Sequence, residues 1–439
     1  MSNPREAAFK IIYKIDYEGA YSNIALKNGL DGLSAQDRAL ATRLVYGCVS
    51  MQLTLDYIIS LFSKVKLKKL SKSVREILRL GIYQIVFMDK IPDSAAVNES
   101  VKLISKFENR SKGFVNAILR AVSKEKENIR YPEDRLEYLK VRYSFPETLC
   151  DRFVSEFGID FAEELIKSMS KEPETVIRVN TLKTTPDELI KELAAKGVSV
   201  KKTDVLENGL VISKAEIGAL DEFKKGLFTV QDTAAQLACL VLNPKPGEKV
   251  MDLCAAPGGK TTAMAELMDN KGSIVAFDMY PHKTELIEEV CERLGIDIVT
   301  CCTADTSVHK PSMDGTADKI LVDVPCSGIG IIRRKPEIKW NREDISTLPD
   351  IQKRLLTNAC KYLKDGGELV YSTCTIFKDE NMDVVNSVMK ENPQLQLVDI
   401  SPLLPDKFRK PTAKDGYITL YPNTDNTDGF FICKLRKLK

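Results

Sequence analysis

At 439 residues the chain is longer than one ordinary core organises, so two or three domains are expected. Its 44% hydrophobic and 29% charged content excludes a disordered chain, and no stretch reaches the roughly 18 apolar residues of a membrane span. The net charge of +2 conceals a division: residues 1–140 hold 24 basic against 16 acidic side chains, a net of +8, which leaves −6 for the rest and suggests that the first part meets a polyanion.

Residues 1–140 show helical spacing throughout, at Ala7-Ala8-Phe9-Ile11-Ile12-Ile15, Leu53-Ile58-Ile59-Leu61-Phe62 and Ile77-Leu78-Leu80-Ile82-Ile85. Lys64-Val65-Lys66-Leu67-Lys68-Lys69 is a basic connector, and Ile91-Pro92-Asp93-Ser94 stops one helix and caps the next. The pattern predicts an all-α bundle with a basic rim. Tyr131-Pro132 and Phe145-Pro146 mark a linker into a small mixed α+β segment, 141–237, with a strand at 176–180 and a helix near 186–196. Residues 238–439 then alternate strands (249–253, 274–277, 298–301, 320–324, 368–371) with room for helices, which predicts a Rossmann-like, doubly wound α/β domain of parallel strands. Ligands in such a sheet lie at the carboxyl ends of the strands.

The motifs sit at those ends. Cys254-Ala255-Ala256-Pro257-Gly258-Gly259-Lys260 follows the first strand, and its glycines allow close backbone approach to a ligand. It is neither a dinucleotide fingerprint nor a P-loop, since the early glycine of each is missing. Asp278 ends the second strand, where an acid can bind ribose hydroxyls, and Asp305 follows the third, where it could accept from an adenine amino group. Together they predict a nucleoside pocket for an adenosyl cofactor.

Eleven cysteines, with no C-x-x-C pair, and only two histidines argue against a disulfide framework and against any metal site. Residues 1–10 carry both charge signs and no apolar core, so they do not read as a signal peptide, and a cytoplasmic location is expected. Two cysteines stand apart: Cys326, in Asp323-Val324-Pro325-Cys326-Ser327-Gly328, and Cys374, in Tyr371-Ser372-Thr373-Cys374-Thr375, close adjacent strands. Carbon 5 of cytosine is a poor nucleophile; a thiolate adding at carbon 6 turns the ring into an enamine that can accept a methyl group. That chemistry needs a nucleophile, an acid near ring nitrogen 3 and a group for release, and Cys374, Asp323 and Cys326 supply the set.

At these residues the chain resembles the RsmB (Sun/Fmu) family of 16S ribosomal RNA cytosine-5 methyltransferases. The resemblance rests on Pro325-Cys326-Ser327-Gly328 continuing through Arg333-Arg334-Lys335-Pro336-Glu337-Ile338-Lys339-Trp340, on Tyr371-Ser372-Thr373-Cys374-Thr375, on Asp428-Gly429-Phe430-Phe431 and on Arg178-Val179-Asn180 and Gln231-Asp232-Thr233. Residues 1–140, including Val115-Asn116-Ala117-Ile118-Leu119-Arg120, look like a NusB-type RNA-binding domain. The resemblance implies S-adenosylmethionine as methyl donor, with cofactor contacts at Cys254 to Lys260, Asp278, Asp305 and Asp323, Cys374 as nucleophile and Cys326 as release cysteine. It implies 16S rRNA as partner, not yet assembled, methylated at cytosine 967 by a monomer. Arg333, Arg334, Lys335 and Lys339, just after the active-site turn, are expected to contact RNA phosphates. Three other readings stay open at this point: an RNA-binding factor with a decayed catalytic half, an N- or O-methyltransferase independent of Cys374, and a P-loop ATPase.

Overall fold

Asn3, Ser34, Ser71 and Asp134 each turn a side-chain oxygen onto a first-turn amide and so start four of the helices that make up the first part of the chain. The computed structural model describes residues 3–213, 215–340 and 345–439. They fall into two compact units, Met1–Lys171 with Ile332–Arg342, and Glu172–Ile331 with Glu343–Lys439.

In the first unit the predicted apolar stripes close on one another: Ile12, Leu44, Leu55, Ile58, Ile77, Leu80 and Leu119 are fully buried in one core. The helices do not stop at residue 140. Arg135–Tyr143, Glu147–Phe157 and Ile159–Met169 continue the compact unit as far as Lys171. Pro146, which reads as a break in the sequence, directly precedes the first turn of Glu147–Phe157, where a missing amide costs nothing.

Arg79, on the helix Lys72–Phe87, is buried among three carboxylates, at 2.6 Å from Asp56, 3.0 Å from Asp16 and 3.1 Å from Glu76. Burial and the neighbouring Glu76 push the Asp16 carboxyl up to about 7. Replacing Arg79 by leucine would leave those acids facing each other in an apolar core. The expected loss is about 3–5 kcal/mol, read as a fall in the urea midpoint of the first unfolding transition. A change below about 1 kcal/mol would contradict this account of the cluster.

The second unit begins with β1 (Thr175–Val179), β2 (Val200–Lys202), β3 (Gly209–Ile212) and β4 (Phe228–Val230), antiparallel in the order β2-β3-β1-β4. The helix Pro186–Ala195, started by a Thr185–Glu188 capping box, lays Leu189 and Leu193 against Ile177, Val179, Leu210 and Phe228. The larger sheet holds β5 (Lys249–Asp252), β6 (Ser273–Asp278), β7 (Val299–Thr303), β8 (Ala317–Asp323), β9 (Leu363–Thr373), β10 (Leu395–Leu397), β11 (Tyr417–Leu420) and β12 (Phe430–Lys437). Its order is β10-β12-β9-β8-β5-β6-β7, with β11 beside β12.

Strands β9, β8, β5, β6 and β7 run parallel, the predicted Rossmann-like core. One edge departs from an all-parallel sheet, because β12 runs antiparallel to β9, β10 and β11. The basic run at 434–439 is therefore mostly strand. Lys434 is buried and donates to the Val241 carbonyl at 2.9 Å. It also meets Glu368 at 2.9 Å. Burial opposes ionisation of Glu368, but hydrogen bonds from Lys319, Lys434 and Arg436 outweigh it and hold the carboxyl at about 2. Among the described residues no single helix is long and apolar enough to cross a membrane.

Candidate active site

The strand order turns at β5, which has β6 on one side and β8 on the other, and open α/β sheets receive ligands at such a turn. The 254–260 segment leaves β5 there. Its Ala255 amide bonds the Phe277 carbonyl at 2.8 Å, which ties the turn to the end of β6. Gly258 has φ +96°, and a Cβ on it would lie 3.3 Å from the Ile287 backbone, so only glycine lets the turn pass so close to the helix Pro281–Leu294. The helix Gly259–Leu267 follows at once. Arg178 of β1, buried, braces it: the guanidinium donates to the Gly259 carbonyl at 2.8 Å, to Thr262 Oγ1 at 3.0 Å and to both Glu266 oxygens at 2.8 and 2.9 Å.

Three acids end successive strands around this turn. Asp252 Oδ2 accepts from Thr261 Oγ1 at 2.7 Å, while Oδ1 is buried with no partner. Burial pushes this carboxyl up to about 7. Asp278, also buried, accepts long bonds from the Ala256 and Tyr280 amides at 3.4 Å each and lies 3.6 Å from the Lys283 ammonium. Asp305, half-buried, accepts from the Ser307 amide at 2.9 Å. A glycine-shaped turn, loosely engaged carboxylates and one orphaned buried oxygen fit an adenosyl ligand with hydroxyl and amino groups to donate. Among the described residues no group of three or more His, Cys, Asp or Glu could hold a metal ion.

The other half of the site gathers the two cysteines. Cys326, beyond β8, and Cys374, beyond β9, lie with their sulfurs 3.0 Å apart, both unbonded thiols. The Cys374 amide donates to Cys326 Sγ at 3.3 Å. Beside them the Lys260 ammonium donates to Asp323 Oδ2 at 2.7 Å, and Ser372 Oγ to Asp323 Oδ1 at 2.7 Å. The surroundings separate the two thiols. The hydrogen bond with Cys374, burial and the Glu380 charge all push the Cys326 thiol up. Burial works against the Lys260 ammonium, but Asp323, with smaller contributions from Cys239 and Cys374, holds it charged and pushes it up. The Lys260 charge interacts with Cys374, and the Glu380 charge with Cys326.

The loop from Cys326 is stitched down by glycine. The Gly330 amide bonds the Cys374 carbonyl at 2.9 Å, and the Gly429 amide bonds the Gly330 carbonyl at 2.8 Å. A Cβ on Gly330 would collide with the Gly429 carbonyl oxygen at 1.9 Å, which explains why Asp428-Gly429-Phe430-Phe431 belongs with the cysteine motifs.

One expected substrate contact is corrected. Lys339 is buried, and its ammonium donates to the Ser50 carbonyl at 2.6 Å and the Ser144 carbonyl at 2.9 Å, the ends of two helices of the first unit. Burial pulls that ammonium down to about 7. It caps helices and is not presented to a phosphate. The same segment seats Glu337 on the Ser22 amide and hydroxyl at 3.2 and 2.9 Å and Trp340 Nε1 on the Val49 carbonyl at 2.6 Å. Arg333 and Arg334 are half-buried and Lys335 is exposed.

Family models match three successive parts of the chain: the NusB family over residues 2–124, a ferredoxin-like domain of RsmF/B methyltransferases over 145–217, and the 16S rRNA methyltransferase RsmB/F over 239–436. A Bacillus subtilis protein named as a probable ribosomal RNA small subunit methyltransferase B is 37% identical over 99% of this chain and 98% of its own. The crystal structure of PH0851 superposes with a TM-score of 0.81 at 31% identity, covering 100% of both chains. That of NSun6 from Pyrococcus horikoshii with SFG covers 67% of this chain and 99% of its own, at TM-score 0.59 and 26% identity.

Proposed function

Because the chain belongs to the RsmB/F family of 16S rRNA methyltransferases, we propose that it methylates carbon 5 of a cytosine in small-subunit rRNA through a bond between Cys374 and carbon 6 of the base. The observation that carries this reading is the pair of thiols 3.0 Å apart at the ends of adjacent parallel strands, beside the Lys260–Asp323 ion pair. Nitrogen or oxygen transfer has no use for two thiols.

S-adenosylmethionine, held by residues 254–260, Asp278 and Asp305, supplies an electrophilic methyl group. Cys374 Sγ, which interacts with the Lys260 charge, forms the bond to carbon 6, which makes carbon 5 nucleophilic. The acid expected near ring nitrogen 3, Asp323, works through its partner: it keeps the Lys260 ammonium charged, and the ammonium carries the proton. After transfer, Cys326 Sγ, having first given up its own proton to solvent, takes the proton from carbon 5 as a thiolate; the carbon 5–hydrogen electrons re-form the ring double bond, and Cys374 leaves as thiolate. Family membership supports the further reading of cytosine 967 as the target, met on 16S rRNA before assembly by a cytoplasmic monomer.

Incubating the protein with labelled S-adenosylmethionine and unmodified 16S rRNA, then digesting to nucleosides, is expected to yield 5-methylcytidine. A product methylated on nitrogen or on the ribose would overturn the proposal.

The helical unit supports direct contact with the RNA backbone. Lys64, Lys66, Lys68, Lys69 and Lys72 are exposed within nine residues, and no acid lies between Asp56 and Glu76. Changing the five to glutamine is expected to raise KM for rRNA with little change in kcat. It should also flatten the salt dependence of binding, by about 0.7–0.9 log units per log unit of salt for each phosphate that is no longer neutralised. The same slope and KM as the unaltered protein would exclude this face.

A further inference from the structure

The two cysteine loops converge on a dipeptide to which the mechanism above assigns no step. Glu380 and Asn381, each 2% exposed, lead into the helix Met382–Glu391. Glu380 Oε2 accepts from the Ser327 amide at 2.8 Å and from Gln352 Nε2 at 3.0 Å. Its Oε1 accepts from Ser327 Oγ at 2.5 Å. Gln352 Nε2 also donates to the Pro325 carbonyl at 3.0 Å, so the residues on both sides of Cys326 are held. Asn381 does the same for the other loop: Oδ1 accepts from Thr373 Oγ1 at 2.6 Å, and Nδ2 donates to the Thr375 carbonyl at 3.2 Å. Those residues flank Cys374. The Tyr371 hydroxyl closes the arrangement on the Glu380 carbonyl at 2.6 Å.

We infer that Glu380 and Asn381 are positioning residues of the methyl-transfer centre, Glu380 for the Cys326 loop and Asn381 for the Cys374 loop. The inference rests on the two-cysteine reading above. Buried hydrogen bonds to a carboxylate are strong and directional, and two flexible loops that must keep their sulfurs together need such an anchor. Because the dipeptide is continuous, the two cysteines are registered to each other as well as to the sheet. Glu380 also sets the charge beside Cys326, so it affects release of the product more than attack on the base. Asn381, which is neutral and flanks the nucleophile, affects attack.

The two roles separate in a kinetic test on the full chain. In Glu380→Gln one oxygen becomes an amide that faces the donors Ser327 and Gln352. Release is expected to slow by about 10- to 100-fold, in keeping with a nucleophile or base displaced by a fraction of its working geometry. RNA–protein adduct should then accumulate on denaturing gels, and the pH dependence of release should move to lower pH, since the anion that favours the protonated thiol is gone. Asn381→Ala should slow adduct formation by a similar factor, with no accumulation and an unchanged KM for rRNA. If Glu380→Gln does not fold, Gln352→Leu removes the bonds to Glu380 and to the Pro325 carbonyl, both on the Cys326 side, and is expected to slow release alone. Variants that fold and turn over within about twofold of the unaltered protein would overturn the inference, as would equal slowing of both steps. Cys374→Ala and Cys326→Ala, run beside them, separate the two levels: if they behave as the two-cysteine reading requires while the Glu380 and Asn381 variants do not, only the inference falls. If Cys374→Ala stays active, the reading itself falls and the inference with it.

Discussion

Cys374→Ala is expected to lose methyl transfer to 16S rRNA by on the order of 10^4- to 10^6-fold in kcat, the scale of removing a covalent nucleophile, with S-adenosylmethionine binding unchanged. The magnitude follows from the chemistry: without a bond at carbon 6, carbon 5 of cytosine has no reason to attack a methyl group. The assignment to Cys374 follows from charge. Lys260, held as a cation by Asp323 at 2.7 Å, interacts with this sulfur, and a thiol that must attack as its anion works best beside a cation. Among the described residues the Cys374 thiol hydrogen-bonds Cys326, and Lys260 of the cofactor turn stays paired with Asp323 without it, so cofactor affinity is the internal control. Retained activity would return nitrogen or oxygen transfer to first place.

Cys326→Ala is expected to do something different. Attack and methyl transfer remain possible, but the carbon 5 proton then has no acceptor at the right place, so the protein stays joined to its RNA. Turnover should fall by about 10^2- to 10^4-fold, the usual contribution of a positioned base. A slowly migrating RNA–protein species should appear on denaturing gels only when both rRNA and S-adenosylmethionine are present. The bond to Cys374, burial and the Glu380 charge push the Cys326 thiol up, so it must shed its own proton first, and once ionised it is a strong base for the carbon 5 proton. An inactive Cys326→Ala that leaves its RNA free would mean that Cys326 acts before the covalent step.

The parts of this site that are contiguous in sequence are the legible ones. A strand, a glycine turn and a helix start lie within residues 249–262, and each of the two paired cysteines follows its strand by a few residues. Periodicity alone therefore places them at the carboxyl ends. Glu380 and Asn381 stay hidden because an isolated Glu-Asn ahead of a helix looks like an ordinary start signal; the partner Ser327 lies 53 residues earlier. Arg178 reads as a family signature, but it acts 81 to 88 residues later, on the helix behind the cofactor turn.

Lys339 departs from its expected role for a related reason. A basic run after an active-site turn reports charge but not burial, and here the ammonium ends inside the helical unit on two carbonyls. Helices run on past residue 140 because proline signals both a linker and a helix start. The antiparallel edge escapes notice because β12 carries Lys434 and Arg436 within it, and the polar pattern masks a strand whose charges are neutralised by Glu368.

The most direct test is to digest the RNA–protein species from Cys326→Ala and locate the modified peptide by mass spectrometry. The account predicts one cross-linked peptide carrying Cys374, bearing a cytidine that has already gained its methyl group. A cytidine attached to any other residue, or no attached nucleotide under conditions where the unaltered protein methylates 16S rRNA, would contradict it.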